Sequence, residues 1–236
     1  MEGPDARSAA MTGAPFDGFP AEATAFYDDL ERDNSLPFWQ ANRAVWERCV
    51  REPMRALLDE LDPDPGAFHV FRPNRDVRFS ADKSPYKVMH GAGATSPGDT
   101  VRYVHLSADG LFIASGCYML VADQLSRLRD AIAHERAGSS LVDLLPPIED
   151  AGLEIGPGGA APLKTAPRGF PKDHPRIALL RFKGLVAFET VVDPAVVESR
   201  AALGRVRASW QAAEPLRAWL EENVGPSREP AGRFGP

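Results

Sequence analysis

The stretch VRYVHLSADGLFIASGCY, Val101 to Tyr118, decides how the rest of the chain is read. Val101 to Ser107 and Leu111 to Tyr118 are two strand-like runs around Asp109-Gly110, a pair suited to the tight turn of a hairpin. With those two residues in the turn, Ala108 pairs with Leu111, His105 with Ala114, Tyr103 with Gly116 and Val101 with Tyr118. Side chains alternate along a strand, so one face carries Val104, Leu106, Leu111 and Ile113. The other carries Tyr103, His105, Ser107 and Tyr118 around the small Ala114 and Gly116. Two readings of this second face are open: a shallow hollow for a ligand, or a ring-lined contact for a covering helix.

Upstream, Pro20 to Asn34 sets Ala23, Phe26, Tyr27 and Leu30 at helical spacing. Ser35 caps a second helix with Trp39, Val45, Trp46 and Cys49, and Pro53 fits the first turn of a third that buries Met54, Leu57, Leu58 and Leu61. Asp76 to Ser80 has period two, with Val77 and Phe79 on one side and Asp76, Arg78 and Ser80 on the other, and is read as a strand. His90 to Thr100, rich in Gly, Ser and Pro, is read as a loop. Downstream, Val121 to Glu135 predicts a helix, Ser139 to Asp150 a short one and Gly152 to Pro171 coil. Ile177 to Phe182 and Leu185 to Val192 predict two strands about Lys183-Gly184. Asp193-Pro194 then opens a helical segment broken near Gly204 and Pro215.

Helices, then strands, then helices, without βαβ alternation, predict an α+β fold. The expected architecture is a single domain over residues 16–225, with helices at both ends packed on a largely antiparallel central sheet. Residues 1–15 and 226–236 are small, polar and Gly/Pro-rich, and are read as loose tails.

The chain has 236 residues, with 33 acids against 27 Lys and Arg, a formal charge of -6 that weighs against a protein built to coat nucleic acid. Gly110 to Ala122, the longest uncharged run, falls short of the roughly 18 residues of a membrane span, and the start lacks a basic segment followed by an apolar one. A soluble cytoplasmic protein is expected. Cys49 and Cys117 stand in no paired spacing and predict two buried thiols. The five histidines are scattered and no G-x-S-x-G or phosphate-loop pattern occurs, so no metal or cofactor is implied.

Against this acidic background, FRPNRDVRFSADKSPYK, Phe71 to Lys87, gathers Arg72, Arg75, Arg78, Lys83 and Lys87 with only Asp76 and Asp82 to offset them. Guanidinium and ammonium groups beside a phenol suit a phosphate or carboxylate. The same charges also suit an ion-pair network that fastens the segment to acids elsewhere, and both readings are open. Asp173-His174-Pro175 sets a carboxylate beside an imidazole able to exchange protons near neutral pH, with a turn cap as the other reading.

The charged segment, together with GCYM ahead of LSRLRDAI and with LKTAPRGFPKDHPRIALLRFKGL, resembles the uncharacterised family catalogued as domain of unknown function 2461. The resemblance runs from about Phe16 to Val224. Its signature R-D-x-R-F-S-x-D-K-x-P-Y-K is matched from Arg75 to Lys87, its second at Gly116, Tyr118 and Arg129, and its third from Pro167 through Asp173, His174 and Pro175. Pro73 stands where an aliphatic residue is usual, and Trp39 is followed by Gln40 where the family tends to read W-F. The resemblance implies a shared fold and site but brings no activity.

The expected function is recognition of a small phosphate- or carboxylate-bearing ligand by Arg75, Arg78, Lys83, Tyr86 and Lys87, with Tyr118 and His174 placed to close the pocket. Asp76 and His174 are the candidate proton acceptors of a metal-independent enzyme. Nucleic acid held by the same cations, with Tyr103 or Tyr118 stacking on bases, is the alternative partner. A structural or scaffolding protein is the third reading.

Overall fold

The computed structural model describes residues 14–62, 64, 67–76, 78 and 82–228. Three helical segments lead in. α1 (Ala21–Arg32) buries Ala23, Phe26, Tyr27 and Leu30, the residues its spacing marks as apolar. α2 (Leu36–Trp46) starts where the Ser35 side chain accepts the Phe38 N–H at 3.3 Å. It does not end before the next helix. A π-helical turn, Glu47–Arg51, carries the chain into α3 (Glu52–Leu61), and the Glu52 N–H bonds to Glu47 O, five residues back. Pro53 has no N–H to give to the carbonyl four residues before it, which is the local cause of the wider turn.

The sheet has six strands in the order β1-β2-β3-β4-β6-β5, every neighbour antiparallel. They are β1 (His69–Val70), β2 (Met89–Thr95), β3 (Val101–Ser107), β4 (Gly110–Cys117), β5 (Glu154–Gly156) and β6 (Leu185–Val191). The α+β class and the antiparallel sheet agree with the sequence reading. Between β4 and β5 lie α4 (Ala122–Ala133) and α5 (Glu135–Asp150), and β6 is preceded by α6 (Ile177–Leu180). The chain closes through α7 (Pro194–Val197), α8 (Ala201–Ala212) and α9 (Glu214–Asn223), with the Asp193 carboxylate accepting the Ala195 N–H as a cap. Among the described residues no helix is long and apolar enough to cross a membrane.

Several predicted elements differ. His90 to Thr95 is strand, because Gly91, one of the glycines that suggest a loop, lets β2 lie tight against β3. A Cβ at Gly91 would stand 2.6 Å from His105 Cβ and 2.7 Å from Val104 O, closer than real contacts allow. The β3–β4 turn is Ala108-Asp109, with Ser107 opposite Gly110 and His105 opposite Phe112. Gly110 takes φ +108° inside β4, against Val191 O, so the glycine that marks a turn serves strand packing instead. Ile177–Leu180 is a helical turn, its first N–H held by His174 O at 2.9 Å, and Leu180 is buried. α5 has 16 residues and contains Pro146 and Pro147, the stretch read as coil contains β5, and α8 passes through Gly204 unbroken. Asp76 and Arg78 lie outside any strand, and Val77, Phe79 and Ser80 fall outside the described residues. Residues 226–228, read as the start of a tail, are held: Pro226 O accepts from Arg127 at 2.8 Å, and Asp123 accepts the Arg228 N–H at 2.8 Å. The rest of the two tails, 1–13 and 229–236, is outside the described residues.

Strand alternation sends Ala92, Val104, Leu106, Leu111, Ile113, Leu185, Ala187 and Val191 to one face, all of them buried. α1–α3 and α8 pack on its β2–β4 half, and α4, α5 and α9 on its β6 half. Cys49 and Cys117 are buried thiols within these two clusters. Two buried polar side chains on this face, Ser115 and His90, have no hydrogen-bond partner among the described residues. His90, 3% exposed, has neither ring nitrogen hydrogen-bonded and meets the Trp46 ring edge-on at 5.2 Å.

Burial lowers the His90 pKa to about 4, with the charges of Arg51 and Lys87 adding to the effect. A folded-state value below the ordinary 6.5 means that His90 contributes full stability above that pH, and that the contribution is lost as pH falls toward 4. Chemical denaturation at pH 7 and pH 5 checks this: His90 should account for roughly 1–2 kcal/mol of the loss between them. His90→Phe, which removes the orphaned nitrogens, should flatten that part of the dependence. In the same assay Gly91→Ala should destabilise by about 1–3 kcal/mol, since the added methyl meets backbone of the neighbouring strand.

Candidate functional site

The charged segment is built around Tyr86. Its backbone N–H donates to Asn34 Oδ1 at 3.1 Å and its carbonyl accepts from Asn34 Nδ2 at 3.0 Å. Its ring, 5% exposed, stacks on Trp39 with centroids 4.3 Å apart and planes 9° from parallel. Tyr86 is therefore a core residue and not the phenol of a binding site. Asn34 carries no apolar period and no charge, so the sequence offers little to single it out.

Residues 73–75 and 85–87 run antiparallel across an Asn74–Tyr86 bridge, with Arg75 N–H to Pro85 O at 2.9 Å and Lys87 N–H to Pro73 O at 2.8 Å. Extended backbone turns successive side chains to opposite sides. With Tyr86 inward, Lys87 points the other way, and Arg75 reaches the same side. Together they line a cavity of about 420 Å3 with Glu31, Val88, Met89, His105, Ser107 and Asp109. The cavity lies where the last turn of α1, the β3–β4 turn, the start of β2 and the charged segment meet.

The other cations of the segment are placed differently. Arg78, with its side chain 74% exposed, gives its guanidinium to Asp76, Nη2 to Oδ2 at 2.6 Å and Nε to Oδ1 at 3.0 Å. This hydrogen-bonded pairing holds the Asp76 carboxyl at about 2, so Asp76 is a poor proton acceptor at neutral pH. Arg75 pairs with Asp82, whose second oxygen accepts from Ser84 Oγ at 2.6 Å and from the Ser84 N–H at 2.9 Å. Lys83 is exposed and is not among the residues lining the cavity.

Lys87 stands apart. Among the described residues no carboxylate pairs with its ammonium, which lies 5.3 Å from the centroid of the Phe71 ring. Burial lowers its pKa, and the nearby charges of Arg72 and Arg75 lower it further. The internal network that the sequence leaves open as a reading thus accounts for Arg75 and Arg78 but not for Lys87.

The second face of the sheet is neither a plain hollow nor a helix seat. Phe112, opposite His105, fills it: the two rings stack at 4.8 Å, and Phe188 stacks on Phe112 at 5.7 Å. Tyr103 bonds His105 Nδ1 at 3.1 Å. Burial pushes the His105 pKa down to about 4 and that of Tyr103 up to about 12, so both are uncharged at neutral pH. This ladder of rings meets the cavity at His105.

Tyr118 and His174 do not line the cavity. Tyr118 is 56% exposed and lies along Gly158 and Gly159, whose N–H (Gly159) bonds its carbonyl at 2.8 Å. His174 Nδ1 accepts the Arg176 N–H at 3.0 Å, the turn-capping geometry. Arg176 in turn bonds Ile132 O at 2.7 Å and Ala133 O at 3.3 Å, closing the C-terminal end of α4. The stretch from Pro167 to Pro175 thus leads into a helix joint.

Set against known protein families, the chain matches the pattern of one described as a conserved hypothetical protein (DUF2461) over residues 22–219. It belongs to that family. Comparison with curated proteins finds no match. Among solved structures, the crystal structure of an uncharacterized protein from Methanothermobacter thermautotrophicus is similar at 11% identity, covering 73% of this chain and 99% of that one with a TM-score of 0.38. A likeness that loose says nothing of the site.

Arg78→Ala should leave the melting temperature unchanged, because the pair it breaks is exposed and joins residues only two apart. Tyr86→Ala should lower it sharply, by about 3–5 kcal/mol of stability on denaturant titration, as loss of a stacked core ring does.

Proposed function

We propose that the protein binds a small molecule through a phosphate or carboxylate group held by Lys87, with Arg75 beside it. The supporting observation is the Lys87 ammonium: it lines a cavity, stands close to two like charges and has no carboxylate partner among the described residues. A cation close to like charges and without an ion-pair partner of its own costs stability, and an anion bound to Lys87 offsets that cost. With Asp76 engaged by Arg78 and the His174 imidazole engaged by the Arg176 N–H in a turn, recognition rather than turnover is the reading favoured. Tyr103, packed edge-on against the stacked pair His105 and Phe112, is engaged by its neighbours, which weighs against its ring being presented to nucleic-acid bases.

Calorimetric titration of inorganic phosphate and of acetate into the full chain tests the proposal. Lys87→Ala should weaken the better of the two about tenfold or more, the scale of one charge-assisted contact. Arg78→Ala should leave it unchanged. Because the Lys87 pKa is lowered, affinity should also fall on the alkaline side at a lower pH than the ordinary 10.5 of lysine. Equal affinity of wild type and Lys87→Ala for both anions would defeat the proposal.

A further inference from the structure

The cavity also holds charge of the opposite sign. Glu31, in the last turn of α1, and Asp109, in the β3–β4 turn, line it along with Arg75 and Lys87. Among the described residues neither carboxylate has a cationic partner, and no ion pair crosses from either acid to Arg75 or Lys87. The C-terminal end of α1 adds negative potential next to Glu31, which favours a cation there. Val88 and Met89 supply an apolar stretch of wall, and at about 420 Å3 the cavity is at the small end of ligand pockets, which run ~300–1,000 Å3.

We infer that the ligand is a small zwitterion, an α-amino acid or short peptide with an apolar side chain. This rests on the reading that Lys87 and Arg75 receive its carboxylate. Its ammonium group then faces Glu31 and Asp109, and its side chain lies against Val88 and Met89. Two unpaired charges of opposite sign around one cavity select against a plain anion, which would meet Glu31 and Asp109 as repulsion, and against a plain amine, which would meet Lys87.

The test is a calorimetric panel on the full chain: the common L-amino acids and apolar dipeptides, each with its N-acetyl form, which loses the cation, and its C-terminal amide, which loses the anion. At least one zwitterion should bind about tenfold or more tighter than both of its blocked forms. The double variant Glu31→Gln with Asp109→Asn should bring its affinity down to that of the N-acetyl form, without changing the melting temperature. N-acetyl and free forms of equal affinity, or no binding across the panel while phosphate still binds through Lys87, would overturn the zwitterion and leave the anion proposal standing. Failure of the panel together with indifference of phosphate and acetate to Lys87→Ala would overturn both.

Discussion

The stacking of Tyr86 on Trp39 is the contact on which the site depends. It ties a highly charged segment, which has little apolar surface of its own, to the aromatic core under α2, and the double hydrogen bond from Asn34 fixes the backbone at the same point. Burial of one ring decides the side to which its neighbours turn. Beyond it, the described residues of this segment are held by the short Asn74–Tyr86 bridge and by exposed ion pairs, and such pairs hold a loop weakly. A residue chosen for the pocket because it carries a phenol turns out to be the reason that the pocket has a shape.

The charges then divide by distance along the chain. Asp76 and Asp82 each serve a close neighbour, Arg78 in one case and Arg75 and Ser84 in the other, so two of the five cations are offset locally. Of the cations that those two acids do not offset, Lys87 lines the cavity, beside Arg75 and over Phe71. Two carboxylates from separate elements, α1 and the β3–β4 turn, line the same cavity. A cavity lined by charges of both signs and by apolar side chains is set up by the topology and not by any single motif.

Much of this was legible in the residues, and what was not has a physical reason. The apolar periods of α1, α3 and α4 and the caps at Ser35 and Asp193 rest on short-range rules, and the structure follows them. Glycine misled twice: Gly91 and Gly93 read as loop residues but sit in β2, and Gly110 read as a turn residue but begins β4. Gly91 and Gly110 are needed for a close approach by another strand, and a one-dimensional pattern does not record such distances. The site followed the same division. The cationic segment was visible because its charges are contiguous, whereas Glu31, Met89 and Asp109 join it only through the fold.

The shortness of the outermost strands sets how this molecule can meet others. β1 has two residues and β5 three, so the borders of the sheet expose few unsatisfied peptide groups on which a foreign strand could build. Lateral growth into fibrils or swapped ribbons is thereby discouraged. The two outermost strands thus offer little backbone for strand addition.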